Sequence, residues 1–250
     1  MKNKFIKSLV LVSSIIFTLS SCKKDVIDDN PAPLFTKASL NINVLANNNK
    51  VIWDSINYIN ASGNKYSLRT INFYISDIAM KRKDGFIHKL NKVFYIDPAK
   101  SESSQITIDS LLRGDYEQIS FLVGLNPQKN IDYGLESTVD NLNMAWPTMM
   151  GGGYHFIKVE GHYLDSAGLR KGFAIHLGKN ENLVNIEINK LMLQQKSENN
   201  YSLDFEINEI FANPYLYDLN IEKTYTMSDS LSMSKIKTNM QDAFTINQTN

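Results

Sequence analysis

Leu68-Arg69-Thr70-Ile71-Asn72-Phe73-Tyr74-Ile75-Ser76-Asp77-Ile78-Ala79-Met80 is the stretch that decides the fold class. Ile71, Phe73 and Ile75 fall on every second residue, and Ile78 carries the apolar run further. That spacing sorts side chains onto two faces, as in a strand, and does not trace the stripe of a helix. Asp84-Gly85 follows, a pair suited to a hairpin turn. Outward from this segment the same texture recurs. Leu40, Ile42 and Val44 alternate with polar residues and end at Asn47-Asn48-Asn49, and residues 51–59 read as the next strand, closed by Ser62-Gly63-Asn64. Beyond the turn, residues 86–90 and 93–96 read as two short strands stopped by Asp97-Pro98. Further strands are expected at 106–108, 116–123, 154–164, 173–177, 183–188 and 201–207. Short alternating runs between turn signals, without long helical periods among them, predict an all-β antiparallel sandwich of the immunoglobulin-like, Greek-key type.

Two stretches depart from this pattern. Residues 126–153 are poor in strand signal, which in a compact domain points to function or disorder. Residues 228–244 carry Leu231, Met233, Ile236, Met240 and Phe244 at helical spacing, with Ser228 placed to cap. A short C-terminal helix packed on the sandwich is expected there.

The N-terminus reads as an export signal. Lys2, Lys4 and Lys7 precede an apolar run from Ser8 to Leu19, which is short for a membrane span. Leu19-Ser20-Ser21-Cys22 then matches a bacterial lipobox and contains the only cysteine of the chain. The expected organisation is a signal peptide over 1–21, a tether over 22–38 and a folded domain over 39–250. Lipid on Cys22 would anchor the chain at the outer membrane, facing the periplasm or the surface, without spanning. With its one cysteine so used, the domain has neither a disulfide framework nor a thiol ligand. The 26 Lys+Arg balance 26 Asp+Glu, so there is no electrostatic footprint for nucleic acid.

Catalytic signatures such as GxSxG, a P-loop, HExxH or a dinucleotide fingerprint are absent, and no enzyme activity is expected. The unusual chemistry lies in residues 143–162. Trp146, Met144, Met149, Met150, His155 and His162 are gathered there around Pro147 and Gly151-Gly152-Gly153. His176 follows, within Gly172-Phe173-Ala174-Ile175-His176-Leu177-Gly178. Imidazole with thioether suits copper, Cu(I) in particular. Taken singly, a strand histidine is more often a packing residue and a methionine cluster a core filler. Regular alternation puts His155 with Ile157 and Val159 on one face and His162 with Phe156, Lys158 and Glu160 on the other. Either histidine could then pair with His176 from a neighbouring strand.

The segment resembles the MbnP family of copper-associated bacterial proteins, named for a protein of the methanobactin operon. The resemblance is carried by Met144-x-Trp146, Gly153-Tyr154-x-Phe156, Glu160-Gly161 and His176-Leu177-Gly178, with earlier blocks at Phe73 to Ile78, Gly114-Asp115-Tyr116 and Phe121 to Gly124. It covers roughly residues 38 to 246. It implies an exported β-sandwich whose copper, Cu(I) or Cu(II), is held by two histidines and a tryptophan oxidised to kynurenine. It also implies a di-haem cytochrome c peroxidase as oxidising partner, and a role in copper acquisition that suggests a TonB-dependent receptor nearby. Trp146 and His176 match the family's positions. His155 is the expected second histidine with His162 in reserve, and Met149 and Met150 are auxiliaries. Where many relatives have a second aromatic after the tryptophan, this chain has Pro147-Thr148-Met149. The contrasting reading is a metal-free surface lipoprotein that uses the aromatic 143–163 region as a contact surface for glycan or protein.

Overall fold

The computed structural model describes residues 34–194 and 196–249. The stretches read as signal peptide, as lipobox with Cys22 and as tether through Pro33 lie outside the described residues. In chain order the strands are β1 (Phe35–Ala46), β2 (Asn49–Lys50), β3 (Tyr58–Ile59), β4 (Lys65–Arg82), β5 (Ile87–Ile96), β6 (Gln105–Leu112) and β7 (Gly114–Val123). They continue with β8 (His155–Leu164), β9 (Arg170–Gly178), β10 (Val184–Gln194), β11 (Glu198–Glu206) and β12 (Phe244–Thr249). Among the described residues there are also two α-helices, α1 (Val139–Asn143) and α2 (Ser230–Asn239), and several short 3-10 turns.

The strands form two sheets, an all-β sandwich. One sheet runs β12-β11-β1-β2, with β6 also paired to β1. The other runs β10-β7-β4-β8-β9, with β3 and β5 also paired to β4. β4 organises the second sheet because it is 18 residues long. Its first half pairs with β8 and its second half with β5 and β7. Phe73 of β4 and Phe121 of β7 reach across to the first sheet. Phe73 lies 5.8 Å from Phe205 and 6.2 Å from Phe244, and Phe121 lies 5.4 Å from Phe244, centroid to centroid. Edge-to-face aromatic contacts of this kind add to the burial that holds two sheets together.

Several expectations change in detail. β1 begins at Phe35, so the folded part starts inside the stretch read as tether. The β1–β11 ladder is parallel, while the other ladders are antiparallel. A long chain separation between β1 and β11 makes a parallel pairing easy to reach. Residues 51–57 are not a strand and turn at Trp53–Asp54, where Asp54 takes a positive φ of 57° and its amide bonds Leu68 O at 2.8 Å. The two strands read at 86–90 and 93–96 are one strand, β5. The irregularity is a bulge against β4, where Asp77 has φ 51°. The C-terminal helix is shorter than its apolar spacing suggests. Asp229 caps it by accepting from Ser232 N, and Phe244 belongs to β12. Among the described residues no helix is long and apolar enough to cross a membrane.

Candidate metal centre

β8 and β9 form an antiparallel pair, and their register decides the site. Tyr163 to Ile157 pair one-for-one with Lys171 to Leu177, and then His155 pairs with Gly178. Two residues of β8, His155 and Phe156, therefore stand against one step of β9, the arrangement of a β-bulge. The bulge overturns the regular alternation expected for His155. Ile157 keeps the face of its partner Phe73, which packs towards the first sheet. His155 instead shares the face of Gly178, and two residues along β9 that face carries His176.

The two imidazoles meet there, with ring centroids 4.9 Å apart and planes at 86°. His155 is 5% exposed and His176 8%. Trp146 also lies against His155, with centroids 4.7 Å apart, and is itself 2% exposed.

Trp146 is held over the pair by a hairpin. Ala145 bridges Tyr154, Trp146 N donates to Gly153 O at 2.8 Å, and His155 N donates to Met144 O at 2.7 Å. The return of the chain at Gly151, Gly152 and Gly153 uses three successive positive φ values of 113°, 69° and 82°, which only glycine adopts without strain. Asp132 braces the turn by accepting from Gly153 N at 2.7 Å and from Thr148 Oγ1 at 3.3 Å. The indole needs Gly178 beneath it, because a Cβ there would run into indole Cε3. This explains the glycine of His176-Leu177-Gly178 as a matter of space. A cavity of about 270 Å³ opens beside the hairpin, with Tyr133, Leu142 and Trp146 among its walls.

Each histidine has one ring nitrogen engaged and one free. His155 Nδ1 bonds Met144 O at 3.0 Å, and His176 Nε2 bonds Glu160 Oε1 at 2.9 Å. His155 Nε2, His176 Nδ1 and Trp146 Nε1 are buried without a hydrogen-bond partner. Burial, and then the neighbouring His176, push the His155 imidazole down to about 4, so it is neutral at pH 7. With Nδ1–H given to the Met144 carbonyl, the lone pair of His155 lies on Nε2. The hydrogen bond from His176 holds the Glu160 carboxyl below the usual carboxylate range. Thr226 pins the His176 backbone from the side. Its Oγ1 accepts from His176 N at 2.8 Å and donates to His176 O at 2.7 Å.

The remaining expected ligands are elsewhere. His162, seven residues along β8 and so about 20 Å from His155, accepts a hydrogen bond from Arg170 at 3.0 Å. Met149 is wholly exposed, at 101%. Met150 packs half-buried against the hydrophobic core. Among the described residues no group of three or more His, Cys, Asp or Glu gathers in a way that could hold a metal ion. What the site offers is two imidazole lone pairs on touching rings, with the tryptophan as third member. The sequence reading did not single out Glu160, Thr226 or the Met144 carbonyl. Glu160 was quoted only as part of a motif, and its tie to His176 needs the β8–β9 register.

A search of curated protein sequences gives no match. Among solved structures, MbnP from Methylosinus trichosporium is similar, with a TM-score of 0.61 and 12% identity over 86% of this chain and 99% of that one, a likeness in fold. Residues 36–234 match the sequence profile of the family described as MbnP, and the chain accordingly belongs to the MbnP family.

Proposed function

We propose that this chain is a copper-binding exported lipoprotein, holding the metal between His155 and His176 with Trp146 as third member of the site. The observation that carries the reading is the set of three buried ring nitrogens without partners, on three rings in contact. A buried polar atom left unsatisfied costs about 1–3 kcal/mol, and such atoms are rare enough to call for a cause. A metal ion supplies one for the two imidazoles. Two imidazole nitrogen donors suit Cu(I), a soft ion that accepts few ligands, better than the oxygen-seeking cations. His155 is neutral at pH 7, which spares the metal a competing proton.

An indole N–H has no lone pair to give. Oxidative opening of Trp146 to kynurenine would place an amine and a ketone at the same spot, which supports a modified Trp146 as the third ligand. A di-haem cytochrome c peroxidase as oxidant and a TonB-dependent receptor as the route onward are the partners this reading brings with it. The protein would bind and hand over metal without turnover of its own, anchored at the outer membrane through lipid on Cys22.

The contrasting reading, a glycan or protein module that presents residues 143–163, is disfavoured by burial. Trp146, Tyr154 and Phe156 are all inside, where a macromolecular partner does not touch them.

The test is Cu(I) titration of the full chain against a competing chelator, with His155→Ala and His176→Ala. Loss of tight binding in both supports the site, and unchanged binding in both sinks it. Intact-mass measurement of the native protein reads whether Trp146 is modified.

A further inference from the structure

A histidine can present either ring nitrogen to a metal, and the hydrogen bond made by the other nitrogen decides which. At His155 that bond goes from Nδ1 to the Met144 carbonyl, leaving Nε2 as the buried nitrogen without a partner. At His176 the pattern is reversed. Nε2 faces Glu160 Oε1 at 2.9 Å, and Nδ1 is the buried nitrogen without a partner. The contact is geometrically fixed. Lys158 and His176 are register partners, Glu160 pairs with Ala174, and so Glu160 and His176 are diagonal neighbours on one face of β8 and β9. Thr226 holds the His176 backbone from the β9 edge through both of its main-chain polar groups.

We propose that Glu160 is a positioning residue of the metal centre. Its carboxylate accepts the hydrogen bond of His176 Nε2–H, fixes the tautomer and leaves Nδ1 as the nitrogen with the lone pair, so a metal would be held by unlike nitrogens, Nε2 of His155 and Nδ1 of His176. The carboxylate also places a negative charge one imidazole away from the metal, which raises the basicity of that ligand. Glu160 touches neither the metal nor Trp146 in this role and acts only through His176. The proposal rests on the copper reading for its second half, while the tautomer is a property of the metal-free protein.

The experiment is long-range ¹⁵N–¹H NMR on the full chain labelled in its histidines, first metal-free and then with Ag(I), a diamagnetic stand-in for Cu(I) whose spin couples to the bound nitrogen. The expected metal-free result is a single His176 tautomer protonated at Nε2. With silver, coupling is expected to Nδ1 of His176 and to Nε2 of His155. Glu160→Ala should mix the His176 tautomers and weaken Cu(I) binding about 10–100-fold, the usual loss for an outer partner of a ligand. Glu160→Gln, which keeps an acceptor oxygen, should restore much of the tautomer preference. Silver coupling to Nε2 of His176, or a mixed tautomer in the unaltered protein, overturns the role of Glu160 while leaving copper binding intact. A fixed tautomer with no uptake of silver or copper overturns the copper reading and leaves the hydrogen-bonded orientation standing. The measurements on the unaltered protein decide the matter even where a Glu160 variant does not fold.

Discussion

His155 and His176 meet ring to ring, with centroids 4.9 Å apart, although regular alternation along β8 would have sent His155 into the sandwich interior. The bulge at His155–Phe156 makes this meeting possible, and the reading of this protein as a metal carrier turns on it.

Not every histidine of the 143–176 region should matter equally. His155→Ala and His176→Ala are each expected to lower Cu(I) affinity by more than about 100-fold, beyond the loss typical of an outer-partner change. His162→Ala and Met149→Ala should leave it within about twofold, because His162 sits beside Arg170 and Met149 is in solvent. Chelator competition on the four variants checks this, and an equal loss in His162→Ala would refute the assignment.

Gly178→Ala should destabilise the protein by displacing Trp146 while leaving both histidines in place. The added methyl collides with the Trp146 indole, and overpacking of this kind costs about 1–3 kcal/mol. For a domain of this size that is a fall in Tm of roughly 2–4 °C per kcal/mol. Tryptophan fluorescence should shift to the red as the indole is displaced from its buried seat. Unchanged melting and emission would mean that the indole does not lie on Gly178.

The metal-free protein should lose stability in mild acid through His155. Its folded-state value of about 4 lies below the ordinary 6.5. Between those values the unfolded chain takes up a proton that the folded chain refuses, so stability falls as pH drops through that window and levels off below it. A gap of this size corresponds to about 3 kcal/mol for a group so buried. Urea unfolding at about pH 7 and about pH 4.5 should show this loss in the unaltered protein, and His155→Phe should remove most of it. A His155→Phe variant with the same pH slope would contradict the buried, neutral imidazole.

Thr226→Val should act on the site from outside it. Thr226 is fully buried, and its hydroxyl serves both the amide and the carbonyl of His176. Without it those groups are left unpaired, at a cost of about 1–3 kcal/mol, and copper affinity should fall along with stability. Thr226→Ser should recover both. Thermal melts and copper titration of the two variants read the outcome, and a neutral Thr226→Val would remove Thr226 from the support of the site.

Much of this was legible from local pattern. Alternation in residues such as Leu40, Ile42 and Val44 depends only on the two-residue period of a strand, so the all-β sandwich could be read directly. Gly151-Gly152-Gly153 permits positive φ, and all three residues adopt it where the chain returns to β8. The strand expected at 51–59 is reduced to Tyr58–Ile59, because Asp54 takes a left-handed φ and its amide bonds Leu68, a residue of another strand. β12 was missed because its apolar signal is confined to Phe244 and Ile246 at the end of a polar tail, and it is a strand only where β11 offers an edge.

For this protein, then, sequence alone determined the class of fold, the export signal as an expectation, and the residues from which a site could be made, since each depends on composition or on short-range periodicity. The tertiary structure decided which of them come together. One extra residue in a strand reverses every side chain beyond it, and whether that residue is present depends on pairing with β9, not on the residues around His155. The same register sets His155 beside His176, seats Trp146 on Gly178 and brings Glu160 to Nε2 of His176. None of these contacts exists until strands from different parts of the chain are aligned.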